Sequence, residues 1–160
     1  MQSLKGLLYL NDYAKTLNKT NMTGKITFSM IKPDAVQDNQ IGAIFEKIEN
    51  GGFVIKACKM VKMTKEQAGK FYAVHEGKPF YEDLTNYMSS GPIVAFVVEK
   101  ENAVQAYRDF IGATNPEDAR EGSIRKIYGK SIQKNAVHGS DSDENALIES
   151  HFFFSDIEIM

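Results

Sequence analysis

One cysteine, Cys58, stands among 160 residues, and there is no tryptophan. A lone thiol excludes an internal disulfide and any multi-cysteine zinc site, and is compatible with a reducing compartment. Cys58 lies in an alternating apolar stretch and is expected to be packed there. The chain also lacks an excess of either charge: 19 Lys+Arg against 21 Asp+Glu leave a formal net charge of −2. With a pI near 5.9 there is no global basic field, so nonspecific nucleic-acid binding is not expected. No apolar run approaches the roughly 20 residues of a bilayer-spanning helix. No G-x-x-x-x-G-K-[ST] loop is present, which sets aside P-loop chemistry, and no His, Cys or carboxylate cluster has the spacing of a permanent metal site.

What the chain does have is 42% hydrophobic residues, enough for one core and most simply one domain. Residues 1–22 differ from the rest. They carry a short apolar patch at Leu7 to Leu10, lysines and no small-residue cleavage site, so they read as an extension rather than a secretory signal. The extension is expected to be disordered or to lie upstream of a true start at Met22, with residues 23–160 forming the domain.

Periodicity organises that domain. Lys25 to Ile31 alternates as a strand; Ile41, Ile44, Phe45 and Ile48 repeat at helical spacing before Gly51-Gly52; and Phe53 to Val61 alternates again. Thr64 and Gln67 form a capping box for a helix that ends before Pro79, and Tyr81 to Ser89 reads as another. Ile93 to Val98 is a strongly apolar strand, Asn102 to Ile111 a helix stopped at Gly112, and Gly122 to Gly129 mixed. Ile132 to Val137 reads as a last strand, and Asp141 to Glu149 as a helix. The expected fold is α+β: a ferredoxin-like four-stranded antiparallel sheet, βαββαβ, with helices packed on it.

Three stretches carry chemistry. Asn135-Ala136-Val137-His138-Gly139-Ser140-Asp141-Ser142 sets a histidine among hydrogen-bonding groups just before a helix, the surroundings in which a neutral imidazole keeps a free lone pair. Thr27 to Asp34 is a strand that delivers Lys32 into a Pro-Asp turn, and Ile111-Gly112-Ala113-Thr114-Asn115-Pro116 follows the helix near the chain centre. Together with Tyr72, Lys78-Pro79-Phe80-Tyr81 and Ser90-Gly91-Pro92, these motifs match in order and spacing the signature of the nucleoside diphosphate kinases. From about Thr23 to the C-terminus the chain resembles a short, bacterial-like form of that family. It departs from many relatives at Lys126-Ile127-Tyr128 and has no long tail after Phe154.

The resemblance implies ping-pong transfer of a γ-phosphate from a nucleoside triphosphate, typically ATP, to a nucleoside diphosphate through phosphohistidine at His138, maintaining NTP and dNTP pools. It implies that Lys32 reaches the terminal phosphate and ribose hydroxyls, that Arg108 and Thr114 hold the β-phosphate, and that Arg125 faces the transferred group. Tyr72 would bond the phosphoryl group or the imidazole, with Ser140 and Glu149 meeting near His138. Phe80 would cover one face of the base, Ile132 the other, and Asn135 would bond the ribose 3′-hydroxyl. Magnesium would arrive with the nucleotide and need no protein cage. A cytoplasmic homo-oligomer, a tetramer or hexamer built from dimers, is implied, without membrane association. Asp141 is expected to cap the last helix or pair with an arginine, His75 to make a structural hydrogen bond, and His151 to be a bystander.

Overall fold

The structure is a computed structural model that describes residues 22–159. Apart from Met22, the expected N-terminal extension lies outside the described residues. Four strands form one sheet in the order β2-β3-β1-β4, all pairs antiparallel. These are β1 (Ile26–Ile31), β2 (Val54–Val61), β3 (Ile93–Glu99) and β4 (Val137–Gly139). The ferredoxin-like α+β architecture expected from periodicity is the one observed.

The central strands β1 and β3 are buried almost throughout, because helices cover both faces of the sheet. Their side chains divide by the two-residue period of the pleat. Ile26, Phe28, Met30, Ile93, Ala95 and Val97 enter one core with Met88, Leu147 and Phe154. Ile31, Val94, Phe96 and Val98 enter the other with Ile44, Ile48, Tyr107 and Ile124. The first face carries α3 (Lys65–Phe71), α4 (Tyr81–Met88) and α7 (Asp143–Phe153); the second carries α2 (Ile41–Asn50), α5 (Ala103–Ile111) and α6 (Ile124–Tyr128).

Local signals act as read. Thr64 Oγ1 accepts from the Gln67 amide at 3.1 Å while Gln67 Oε1 accepts from the Thr64 amide at 2.9 Å, a complete capping box for α3. The Pro-Asp turn after Lys32 is in fact a short helix, α1 (Pro33–Gln37), because Pro33 sits at its first turn, where a missing N–H costs nothing.

Three expectations are corrected. Cys58 is exposed, not packed. It lies on β2, an edge strand with one neighbour among the described residues, where Cys58 and Met60 share the side of Phe96 and Val94 and are open to solvent, Met60 to 57%; a register shift between Ile55 and Ala57 puts the exposed Val54 on the other side. The last strand is not Ile132 to Val137 but Val137–Gly139; Ser131 to Gln133 form a bend instead, with the Lys130 amide bonding Lys134 O at 2.7 Å, so that stretch cannot join the ladder. The N-cap of α7 is Ser142, whose Oγ accepts from the Asn145 amide at 3.1 Å, while Asp141 accepts from the Asn145 side chain at 2.6 Å.

Candidate active site

His138 is the middle residue of β4, opposite Met30 of β1. Its Nε2 lies 2.9 Å from Glu149 Oε2, and the Ser140 hydroxyl donates to the same oxygen at 2.5 Å. The carboxylate accepts a proton held on Nε2, which assigns the lone pair to Nδ1. The pair is neither sealed nor open, with side chains 18% and 19% exposed. On the protein side, rings hem the imidazole in: Phe71 at 5.5 Å, Phe28 at 5.9 Å and Tyr72 at 6.4 Å between centroids. Position and tautomer of the ring are thus held by groups from β1, α3, β4 and α7.

The backbone beneath it is held as well. Ser29 Oγ donates to the His138 carbonyl at 2.6 Å and meets the Tyr107 hydroxyl at 2.8 Å. Ala136 has φ +69°, and the Val137 amide bonds Asn135 O at 2.8 Å across it, closing a tight three-residue turn. Such a conformation is unfavourable for a residue with a Cβ and persists only where its surroundings hold it. Here the Lys32 amide clamps Ala136 O at 2.8 Å. The turn carries the chain from the Asn135 side chain, aimed at Lys32, into the strand that bears His138.

Lys32 is buried beside that turn, and Nζ donates to Asn135 Oδ1 at 2.7 Å and to Gln133 O at 3.3 Å. Asn135 in turn donates to Thr114 O at 2.9 Å. Burial, aided by the Arg125 guanidinium and opposed by Asp34, lowers the Lys32 pKa to about 7. Arg125 donates to Gly112 O at 3.1 Å and Val137 O at 3.0 Å, and its buried Nε has no partner among the described residues. Burial is also the main cause that lowers its pKa to about 10. Among the described residues, the acceptors these two cations reach are neutral carbonyl and amide oxygens. A bound polyanion would relieve both their repulsion and their desolvation.

Arg125 opens onto a cleft of about 690 Å³ lined also by Gly112, Thr114, Arg108 and Arg120. Gly112 has φ +92°, and a Cβ there would stand 2.5 Å from Ser123 Oγ, so glycine is required to turn its carbonyl to Arg125. Tyr72 is buried, its hydroxyl without a partner among the described residues, and burial first and the Glu149 charge second hold it in the protonated form. Phe80 caps the N-terminus of α4 and is 49% exposed; Ile132 is 62% exposed on the bend whose Gln133 donates to Asp83 O of α4 at 3.0 Å. Phe80 and Ile132 thus stand on segments tied together, while hydrogen bonds link Lys32, Asn135 and Thr114, and Arg125 acts on Lys32 through its charge. Arg108 makes no hydrogen bond in it.

Four contributors escaped sequence reading: Ser29, Tyr107, the Gln133 carbonyl and Arg120. A polar Ser29 within a wholly buried strand was the one available signal; the others depend on where the chain folds back.

These features define a class, a ferredoxin-like α+β protein with an oriented histidine next to Val137, whose carbonyl is held by Arg125 of an arginine-bearing cleft. Comparison with known proteins narrows it. The sequence model described as nucleoside diphosphate kinase matches residues 25–159. The nucleoside diphosphate kinase of Lawsonia intracellularis is 55% identical over 132 residues, covering 82% of this chain and 96% of that protein. That of Flavobacterium psychrophilum is 57% identical over 129 residues, covering 81% and 93%. Among solved structures, the Aquifex aeolicus nucleoside diphosphate kinase superposes with a TM-score of 0.82 at 45% identity, covering 85% of this chain and 99% of that one. A Halobacterium salinarum nucleoside diphosphate kinase in complex with CDP gives 0.80 at 38% identity, covering 84% and 90%. The chain belongs to the nucleoside diphosphate kinase family, a family of phosphotransferases.

Proposed function

We propose that this protein is a nucleoside diphosphate kinase that works by ping-pong exchange through His138, within a catalytic domain spanning residues 23–160. The observation that carries the reading is the fixed imidazole: Glu149 holds Nε2 at 2.9 Å, so Nδ1 is the nucleophile. Nδ1 attacks the γ-phosphorus of a nucleoside triphosphate such as ATP. A P–N bond forms, the bond from phosphorus to the β,γ-bridging oxygen breaks, and the nucleoside diphosphate leaves. A β-phosphate oxygen of a second diphosphate then attacks the same phosphorus and the P–N bond breaks. The proton on Nε2 stays with the His138–Glu149 pair, which Ser140 steadies.

Lys32 and Arg125 offset charge on the transferred group, and Arg108 and Thr114 hold the phosphate behind it. The buried Tyr72 hydroxyl has a proton to donate to a phosphoryl oxygen. Phe80 and Ile132 sandwich the base without reading its edge, so purines and pyrimidines are both accepted; the CDP held by the Halobacterium salinarum relative supports this. Asn135 bonds the ribose. Among the described residues no group of three His, Cys or carboxylate side chains is placed to hold a metal, and the site's cations suit phosphate oxygens rather than Mg2+. Mg2+ would arrive on the nucleotide and offset phosphate charge there, with Lys32 and Arg125 facing the phosphate oxygens. No helix among the described residues is long and apolar enough to cross a membrane. A cytoplasmic role in balancing NTP and dNTP pools, performed by an oligomer built from dimers, completes the proposal.

[γ-32P]ATP is expected to label the chain in an acid-labile, base-stable form that discharges to GDP, CDP and other diphosphates. His138→Ala is expected to lose both label and transfer. Label that survives this substitution would overturn the assignment, and discharge to a protein but to no nucleotide would make the chain a phosphocarrier.

A further inference from the structure

The single-turn helix Ala73–His75 and the segment after it carry two side chains, His75 and Lys78, that the chemistry above does not use. Lys78 Nζ lies 3.1 Å from His75 Nδ1 and 5.8 Å from the centre of the Phe80 ring. The imidazole of His75 also meets that ring edge to face, with centroids 5.4 Å apart. One ammonium therefore joins an imidazole to an aromatic face. On its other side the His75 ring stacks on Tyr72 at 6.4 Å, and Tyr72 borders His138.

An ammonium has only protons to offer, so the Lys78 contact requires a lone pair on Nδ1 and hence a neutral His75. Burial is the first cause that lowers this imidazole's pKa, and Lys78 the second; Asp141 acts against them and His138 adds a further lowering. With the stacked Tyr72 hydroxyl at the end of α3, those are the charged and titratable groups facing it among the described residues, from its own segment, from the loop before α7 and from β4. Protonation would set two cations 3.1 Å apart. Lys78 would then leave, and the half-exposed Phe80 would lose the cation at its face.

We propose that neutral His75 is a positioning residue, which holds Lys78 against Phe80 and so keeps the aromatic cover of the nucleobase in place, and that protonated His75 releases it. This rests on the kinase reading of the site. The consequence falls on KM rather than on kcat, because the cover touches the base and not the phosphorus. An exposed cation–π contact of this kind corresponds to about two- to fivefold in affinity.

The test measures KM for ADP and kcat from about pH 5.5 to 8.5 for wild type, His75→Asn and Lys78→Met, with NMR titration of the His75 ring in wild type and Lys78→Met. Titration of the nucleotide phosphates is common to all three proteins and drops out of the comparison. On acidification wild type is expected to show an extra KM rise of about two- to fivefold with kcat unaffected. His75→Asn, whose amide oxygen accepts from Lys78 without titrating, is expected to lose that rise. Lys78→Met is expected to carry the raised KM at every pH and to move the His75 titration upward. An identical KM rise in wild type and His75→Asn, or a His75 titration unmoved by Lys78→Met, would overturn the proposal. Absence of acid-labile label on wild-type His138 sinks the kinase reading instead, while the NMR titration still decides whether Lys78 and His75 are joined.

Discussion

At His138 the nitrogen that reacts is selected by the nitrogen that does not. Glu149 holds Nε2, and Ser140, buried beneath it, holds the carboxylate. Glu149→Gln keeps the shape but removes the charge that stabilises the imidazole as it takes phosphate, and its amide can turn an N–H toward the ring. The expected outcome is a fall of about 10²-fold in the rate of His138 phosphorylation, read in single turnover, with nucleotide affinity retained; an unchanged rate would remove Glu149 from the mechanism. Lys32 offers a second residue-scale prediction. In the unfolded chain it holds its proton to about pH 10.4, whereas in the fold it releases it near pH 7. Between those values the unfolded state binds one proton more, so this group makes stability rise with pH; below about 7 the penalty is constant. The unfolding free energy of wild type is thus expected to gain up to about 1.4 kcal/mol per pH unit relative to Lys32→Met between about pH 7.5 and 9.5. Urea titrations with parallel slopes for the two proteins would contradict the buried, depressed lysine.

At the scale of elements, α7 delivers Glu149 to the site while its N-terminus is held by Ser142. Ser142→Ala leaves an amide of the first turn unpartnered and is expected to cost about 1 kcal/mol in urea unfolding. The packing of Ala146, Leu147 and Ser150 against the sheet still holds the helix, so activity should stay within about twofold of wild type. A large kinetic loss would mean that the helix end, not its buried face, sets the Glu149 position. Element boundaries also show where periodicity stops being informative. Ile93 to Val98 read as a strand because continuous apolar character has no other use in so short a run between breakers. Ile132 to Val137 read the same way and was wrong in place, because hydrogen bonds between Lys130 and Lys134 and the turn at Ala136 occupy the backbone there.

For the whole molecule, the conspicuous feature is the edge of β2, eight residues long and unpaired among the described residues, with Val54 and Met60 exposed. An unpaired apolar edge is a surface that proteins cover or charge. In the proposed dimer-based oligomer, Met60→Glu is expected to lower the mass measured by sedimentation equilibrium, and a mass unchanged from wild type would exclude this edge from the interface. The exposure of Cys58 has the same origin: alternation along β2 was legible, but which side of an edge strand meets solvent depends on what packs there.

The amino-acid order alone determined the ferredoxin-like α+β fold, the sheet's core strands, the ends of the helices Ile41–Asn50, Tyr81–Met88 and Ala103–Ile111, and the family, because burial periodicity, caps and breakers act within a few residues and the family motifs are local strings. Tertiary structure alone decided the pairing of Glu149 with Nε2, the burial that lowers Lys32 to about 7, the turn at Ala136 that aims Asn135, and the joining of His75 to Phe80 through Lys78. Each depends on distance and desolvation between groups whose separation is set by how the chain closes on itself, and neither quantity is written in local sequence.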